Sequence, residues 1–341
     1  MPIASQIDSE LPVMGTGEHQ YEADHHWAQL PDKYSWQTTH NIAVDSAGLV
    51  YVIHEGRADQ VDHPAIFVFD DAGKYVRSFG SHFQGGGHGL DIRCEGNDEF
   101  LYVTAYQTKR SFAKLTLIGE TIWHKYAPME SGIYEQGEDL VPRTDSPWGR
   151  DRFLPTNVAF HPDGGFYLAD GYGAYCIHHY DAEGKWQSSF GKPSNEDGAN
   201  GTFAIPHGVW TDSRGAESLV VVADRANSRL QWFALDGQHR RTQEGFLLPA
   251  SIDARKDVLL VADLLGRITL LGVDNEVIVH LGDDSVRIDA DKANWTIRCD
   301  KRKWLPGKFV HPHDACFDAD GNIYVAEWVE SGRITKLRRL S

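Results

Sequence analysis

Residues 206–225 read PHGVWTDSRGAESLVVVADR, in which two short apolar runs flank a polar turn containing glycine. Runs of this kind on either side of a Gly-containing turn predict two antiparallel strands joined by a hairpin. A Pro-His pair opens the stretch and an Ala-Asp-Arg triplet closes it. The stretch therefore predicts one unit, composed of a strand, a turn and a second strand, with recognisable residues at both ends.

The same unit occurs six times along the 341-residue chain. The other five copies are THNIAVDSAGLVYVIHEGR (39–57), GHGLDIRCEGNDEFLYVTAY (87–106), PTNVAFHPDGGFYLADGY (155–172), PASIDARKDVLLVADL (249–264) and PHDACFDADGNIYVAEW (312–328). Most copies are followed by another alternating stretch with an Asp-containing turn, such as IFVFDDAGKYVRSFG (66–80), which adds two more strands. Units of four strands repeated at this period are typical of the blades of a β-propeller.

One position inside the copies sets the register of the repeat. It holds His40, His88, Thr156, His207, Ala250 and His313, at intervals of 48, 68, 51, 43 and 63 residues. We therefore predict an all-β, six-bladed β-propeller formed as a single domain by residues 21–341, after an N-terminal extension of residues 1–20. The last copy is one strand short, so we expect an N-terminal strand near Trp27 to close the ring.

The register position predicts a metal site in the central channel, because the innermost strand of each blade lines that channel. His88, His207 and His313 come from alternate blades, and three convergent imidazoles with an open fourth position are typical of catalytic zinc. Each histidine alone is more often a hydrogen-bonded channel residue, but three in register favour the metal. His40 departs from this threefold pattern, and we expect it to line the channel or to support the ligands.

A second register position follows the second strand of each unit. Tyr106, Tyr172 and Arg225 occupy it, and Arg57 holds a similar place in the first copy. A tyrosine beside a cation and a metal ionises below its ordinary pKa and can act as a base. The alternative is that these residues are ordinary aromatics and solvated arginines of the rim.

Composition excludes several other classes of function. The 33 Lys and Arg residues against 49 Asp and Glu give a net charge of −16, which disfavours a nucleic-acid partner. No apolar run approaches the roughly 20 residues of a membrane-spanning helix, and the N-terminus lacks a signal sequence. We expect a cytoplasmic protein with no membrane partner, or a trimmed secreted form, and four reduced cysteines because no Cys-x-x-Cys pair occurs.

Three stretches resemble a known family over roughly residues 39–340. LPTNVAFHPDGGFYLADGY (154–172), IPHGVWTDSRGAESLVVVADRANSRLQWF (205–233) and HPHDACFDADGNIYVAEW (311–328) resemble blades of the peptidyl-α-hydroxyglycine α-amidating lyases, propeller enzymes of the NHL-repeat type. The resemblance implies cleavage of an N-acyl hemiaminal to a primary amide and glyoxylate, and hence a small-molecule or peptide substrate with a carboxylate.

The resemblance also implies roles for individual residues. It places zinc on His88, His207 and His313, the catalytic base at Tyr172, and the substrate-binding arginines at Arg57 and Arg225. It further implies a structural calcium ion in the channel, bound by Asp314 with backbone carbonyls near Leu90 and Ile42. Two positions depart from the family: His311 replaces the usual methionine and offers a further imidazole, and Gly173 replaces a cysteine.

Two other functions remain open on the sequence alone. One is a metal-dependent lyase or hydrolase that acts on a sugar acid or a lactone, with the same channel and different insertion loops. The other is a non-catalytic binding scaffold of the NHL-repeat type. The oligomeric state is likewise left open.

Overall fold

The computed structural model describes residues 11–57, 59–60, 62–141, 146, 148–195 and 198–340. In these ranges the chain is almost entirely β-structure and forms six antiparallel sheets. Within them no helix is long and apolar enough to cross a bilayer, and the longest is α1 (Ser285–Asp291). The predicted six-bladed β-propeller is confirmed.

Five blades are consecutive four-stranded antiparallel sheets in which the first strand is innermost. Blade 1 contains β3 (Thr39–Val44), β4 (Val50–His54), β5 (Ile66–Phe69) and β6 (Tyr75–Phe79). Blade 2 contains β7 (Gly87–Glu95), β8 (Asp98–Ala105), β9 (Ser111–Thr116) and β10 (Thr121–Lys125). Blade 3 contains β11 (Asn157–Phe160), β12 (Phe166–Asp170), β13 (Cys176–Tyr180) and β14 (Trp186–Phe190).

Blade 4 contains β15 (Pro206–Asp212), β16 (Leu219–Asp224), β17 (Arg229–Phe233) and β18 (His239–Glu244). Blade 5 contains β19 (Pro249–Arg255), β20 (Val258–Asp263), β21 (Arg267–Leu271) and β22 (Val277–Leu281). Short 3₁₀ turns occupy Ser81–Phe83, Met129–Ser131, Arg225–Asn227 and Lys301–Lys303.

The sixth blade joins the two ends of the chain and closes the ring. It contains β1 (Val13–Thr16), β2 (His19–Asp24), β23 (Pro312–Phe317), β24 (Ile323–Glu327) and β25 (Arg333–Arg339). Strand β2 pairs with β25, so an N-terminal strand closes the ring as expected. That strand ends before Trp27, and the sheet starts at Val13, ahead of the domain start predicted at residue 21.

Apolar side chains fill the space between each pair of neighbouring blades. One cluster combines Ile53 of blade 1 with Val103 of blade 2, and the corresponding cluster between the last and first blades combines Tyr324 with Val52. Six such interblade clusters account for the buried strands, and a seventh lies under the 283–309 segment around Ile288. Because both faces of every blade are covered, the central strands are apolar on both sides.

Buried acidic residues at the ends of the second strands hold the loops that lead into the innermost strands. Asp224, Asp263 and Glu327 are fully buried, and each accepts a backbone N–H from the loop before its own blade. Each also pairs with an arginine at the start of the third strand: Arg229, Arg267 and Arg333 respectively. The recurrent Ala-Asp of the repeat is therefore a structural cap that fixes where the channel residues begin.

Candidate active site and metal centre

The channel histidines sit in β-bulges at the start of the innermost strands. The register shifts between Gly87 and Leu90 in blade 2, and equivalent shifts occur at the start of β15 and β23. A bulge redirects a side chain that would otherwise follow the pleat. This local irregularity turns His88, His207 and His313 toward the axis, where all three are at most 2% exposed.

Each of the three histidines is oriented by the backbone of the next blade. The Nδ1 atoms of His88, His207 and His313 lie 2.8, 2.6 and 2.7 Å from the carbonyl oxygens of Thr156, Ala250 and His40. Since a carbonyl only accepts, each Nδ1 carries the proton and donates it. The Nε2 atoms are thereby left unprotonated, which is the form in which imidazole binds a metal.

Glycine after the histidine allows this close approach between blades. A Cβ added at Gly89 would lie 2.4 Å from the Thr156 carbonyl oxygen, and one at Gly208 would lie 2.8 Å from that of Ala250. These are the same carbonyls that receive the imidazole N–H groups. The close approach of the next blade's carbonyl oxygen thus explains why glycine follows the histidine in blades 2 and 4.

The imidazoles pack as a cluster around the axis. Ring centroids lie 4.9 Å apart for His88 and His207, 4.6 Å for His207 and His313, and 5.0 Å for His88 and His313. Burial lowers the pKa of all three well below its ordinary value, so they are neutral. The Nε2 atom of His313 is buried and has no hydrogen-bond partner. Neutral, convergent donors with an orphaned nitrogen fit a divalent metal such as zinc.

Tyr172 lies directly beside these imidazoles. Its hydroxyl lies 3.0 Å from Nε2 of His207, to which it donates, and 3.3 Å from Nε2 of His88. Burial raises the pKa of Tyr172, and the Arg225 guanidinium, 5.2 Å from the ring centroid, opposes that rise. The predicted lowering of the tyrosine pKa requires a metal beside the hydroxyl and stays a prediction; for the chain's own groups, desolvation of the phenolate outweighs one arginine.

The loop that carries Tyr172 is held by hydrogen bonds on both sides. The Asp170 carboxylate accepts the backbone N–H groups of Gly173 and Ala174, and Arg150 donates to the carbonyl of Tyr172. A Cβ at Gly173 would lie 2.0 Å from the Arg152 carbonyl oxygen, which explains glycine where the family carries cysteine. In blade 3, the Tyr134 hydroxyl donates to Asp170 in place of the arginine of blades 4 to 6, and it also contacts His178.

A cavity of about 450 Å³ opens above the imidazoles and is largely aromatic. It is lined by Tyr106, Trp148, Tyr172, Ile205, Arg225, Ala226, Leu248, Leu264, Trp295, His313 and Trp328. Trp148 lies in the long segment between β10 and β11, and Trp295 lies in the long segment between β22 and β23. The tryptophans were not predicted as site residues, although Trp328 occupies the same position after the second strand as Tyr106 and Arg225.

Arg57 does not join this cavity. Its side chain is 55% exposed and its guanidinium pairs with Asp59, with Nη2 and Oδ2 2.6 Å apart. The first residue after β4 is Glu55, so the register position in blade 1 holds a carboxylate and Arg57 lies two residues beyond it. The prediction of a second cavity arginine at position 57 is therefore not met by the structure.

His311 lies apart from the three imidazoles, under the 283–309 insertion. Its Nδ1 is 2.7 Å from the Leu264 carbonyl oxygen, and its ring packs against Trp295 at 4.9 Å and Trp328 at 5.9 Å. Its Nε2 is buried and has no hydrogen-bond partner. His311 thus lies behind Trp295 and Trp328, which line the cavity.

Asp314 faces a second, smaller cavity of about 190 Å³ along the innermost strands. Asp91 and Asp253 face the same cavity, which Ile42 and Leu90 also line. Burial raises the pKa of Asp314 and Asp253 to about 7 each, and the neighbouring Asp253 carboxylate adds to the rise for Asp314. Carboxylate oxygens are ligands that Ca²⁺ prefers, so these three residues fit the expected ion.

All four cysteines, Cys94, Cys176, Cys299 and Cys316, are free thiols. Two further groups of possible ligands lie outside the channel in the part of the chain that the structure describes: His161, Asp163 and His179 at the surface, and Asp170, Cys176 and His178 beneath the Tyr172 loop.

Comparison with known proteins supports the resemblance at the level of a family. The chain is 23% identical over 283 residues to the probable peptidyl-alpha-hydroxyglycine alpha-amidating lyase of Caenorhabditis elegans, covering 82% of this chain and 71% of that protein. It is 29% identical over 234 residues to human NHL repeat-containing protein 3, covering 63% of this chain and 57% of that protein. No protein-family model matches the chain.

Solved structures agree on the fold. A virginiamycin B lyase from Staphylococcus aureus, crystallised with quinupristin, superposes with a TM-score of 0.54 at 13% identity, covering 94% of this chain and all of that one. A structural-genomics protein of unknown function from Bacteroides thetaiotaomicron gives 0.59 at 12% identity, covering 93% and 72%. At such identities the likeness extends to the propeller fold alone.

Proposed function

We propose that the protein is a metal-dependent lyase that cleaves the C–N bond of an N-acyl hemiaminal to a primary amide and glyoxylate. The observation that carries the proposal is the Tyr172 hydroxyl, held within 3.3 Å of Nε2 of both His88 and His207 beneath the aromatic cavity. His88, His207 and His313 would hold the ion. A divalent metal there would supply Lewis-acid stabilisation of negative charge on the substrate oxygens.

The chain's own residues account for the proton transfers. Tyr172, as its phenolate, takes the proton of the substrate hydroxyl while the carbonyl of glyoxylate forms and the C–N bond breaks. The electron pair of that bond goes to the amide nitrogen, which takes the proton back from Tyr172. The reaction is balanced without water or a redox partner. Arg225 both opposes the rise in the tyrosine pKa and offers a guanidinium to the substrate carboxylate.

The aromatic walls of the cavity suit an apolar acyl group. Tyr106, Trp148, Trp295 and Trp328 surround the space next to Arg225, so an aromatic or aliphatic acyl chain would be buried beside the carboxylate anchor. The channel carboxylates Asp91, Asp253 and Asp314 would hold a calcium ion that ties blades 2, 5 and 6 together. We propose a structural role for that ion.

The direct test is release of glyoxylate from α-hydroxyhippurate by metal-loaded protein, with metal content measured on the same samples. We expect one metal ion per chain and turnover that a chelator abolishes. His207→Ala should lose both the metal and the activity, whereas His239→Gln, which changes a histidine on an outer strand, should keep both. Normal metal content in His207→Ala would contradict the site.

A second reaction class is favoured by the position of Glu55. A carboxylate near the cavity, with Arg57 outside it, weakens recognition of an anionic substrate, which fits a lyase or hydrolase that acts on a lactone or a related neutral ring. Metal-dependent turnover of lactones without glyoxylate release from any hemiaminal would favour this alternative. A protein that binds no stoichiometric metal would instead favour a binding scaffold.

A further inference from the structure

His40 is the most anomalous polar side chain in the channel. It is 1% exposed, it sits in the bulge of β3, and neither of its ring nitrogens has a hydrogen-bond partner. A buried imidazole without partners is costly, because its polar atoms have lost water without replacement. A buried imidazole without hydrogen-bond partners indicates a bound ligand, because no protein atom satisfies its ring nitrogens.

The ring of His40 lies against the metal-site imidazoles. Its centroid is 4.7 Å from that of His88 and 4.6 Å from that of His313. One ring nitrogen from each of these three residues can be chosen so that all lie within 4.8 Å of one another. His40 is therefore close enough to His88 and His313 to share an ion position with these two histidines.

Glu55 faces His40 from the end of β4. Its Oε2 lies 3.6 Å from Nε2 of His40, and its Oε1 accepts hydrogen bonds from the Tyr106 hydroxyl and from the Gln107 side chain. These bonds fix the carboxylate in place.

Metal-binding histidines commonly donate their second ring N–H to a carboxylate or a carbonyl. In His88, His207 and His313 that donor is Nδ1 and the acceptor is a carbonyl of the next blade. In His40 the nitrogen that faces an acceptor is Nε2, and the acceptor is a carboxylate. We propose that His40 is a fourth ligand of the channel metal through Nδ1, with Glu55 as the acceptor of its Nε2–H.

The proposal rests on the metal site of the proposed function and changes its chemistry. Three imidazoles and one open position suit tetrahedral zinc, but a fourth imidazole fills the tetrahedron. Substrate could then bind only to an ion that accepts a fifth or sixth ligand. The site would thus favour a metal with higher coordination than four, such as Fe²⁺, Co²⁺ or five-coordinate Zn²⁺.

Cobalt(II) tests this directly, because its visible absorption is weak in five- and six-coordinate sites and much stronger in tetrahedral ones. We expect weak absorption from Co²⁺-loaded wild-type protein and a several-fold stronger band from His40→Ala, which has lost one ligand. Glu55→Gln should keep the wild-type spectrum but bind Co²⁺ about 10- to 100-fold more weakly in calorimetric titration. His239→Gln is the matched control and should change neither.

Circular dichroism and thermal unfolding of each variant establish that it is folded. If folded His40→Ala gives the wild-type cobalt spectrum and affinity, His40 is not a ligand and the proposal is overturned. If Glu55→Gln binds cobalt as tightly as wild type, the role of Glu55 is overturned. A protein that shows the His40-dependent spectrum but releases no glyoxylate would contradict the proposed function and leave this inference standing.

Discussion

The ionisation of the Tyr172 hydroxyl depends on the groups that surround it. Its ring is confined between the imidazoles and the neighbouring Tyr106, 5.4 Å away, and its main-chain carbonyl is held by Arg150. Burial favours the neutral phenol, the nearby Glu55 and Tyr175 add to that effect, and Arg225 favours the phenolate. A bound cation nearby would add to the effect of Arg225.

Replacing Tyr172 by Phe should therefore remove the proton acceptor and leave the metal ligands in place. We expect kcat for α-hydroxyhippurate to fall by about 10² to 10⁴, the range for loss of a general base, with unchanged metal content. Tyr167→Phe is the matched control, since its hydroxyl donates to the Leu235 carbonyl, away from the cavity. Equal losses in the two variants, or loss of metal from Tyr172→Phe, would contradict the assigned role.

Sequence analysis found the residues whose positions follow from the repeat. His88, His207 and His313 share one register position, and their convergence follows from the symmetry of a ring. Arg57 was expected at the cavity, but Glu55 and Gly56 separate it from the end of β4, and its side chain pairs with Asp59 outside the cavity. Trp148 and Trp295 lie in insertions without a repeat counterpart, so no spacing could have placed them at the site.

In blades 4 to 6, the buried acidic residue at the end of the second strand fixes the loop that leads into the innermost strand. Glu327 is fully buried, accepts the Val310 N–H and forms an ion pair with Arg333, at 5% side-chain exposure. Val310 lies on the loop that leads into β23, which carries His313. The cap was read from the sequence as a repeat motif, but the arginine that satisfies it became evident only in the folded blade.

Arg333→Met should leave the Glu327 carboxylate buried and uncompensated. We expect the free energy of unfolding to fall by about 3–5 kcal/mol, the usual cost of removing one partner of a buried pair. Arg302→Met, which changes an arginine 89% exposed and paired with Asp300, should stay within about 0.5 kcal/mol of wild type. Urea denaturation measures both, and similar values for the two variants would show that the blade 6 pair is not a structural cap.

At the scale of the whole molecule, the propeller depends on one hydrogen-bonded seam between its ends. Strand β2 pairs with β25, and Tyr21 and Ala23 of β2 pack with Leu260 and Val325 of blades 5 and 6. The sequence predicted the closure because the last copy lacked a strand. It did not place the hairpin at residues 13–24, since these residues lie outside the repeat.

If the pairing of β2 with β25 holds the ring together, the apolar contacts of β2 should contribute more to the free energy of unfolding than its surface contacts do. Tyr21 is 2% exposed, and Tyr21→Ala should lower the free energy of unfolding by about 3–5 kcal/mol, as for other large aromatic residues in a core. The adjacent Glu22 points to the other face and pairs with Arg338 at the surface, so Glu22→Ala should cost at most about 1 kcal/mol. Chemical denaturation followed by tryptophan fluorescence compares the two. Because every blade rests on its two neighbours, we expect Tyr21→Ala to shift the unfolding of the whole ring as one transition, and early loss of blade 6 alone would show that the blades are not coupled through the seam.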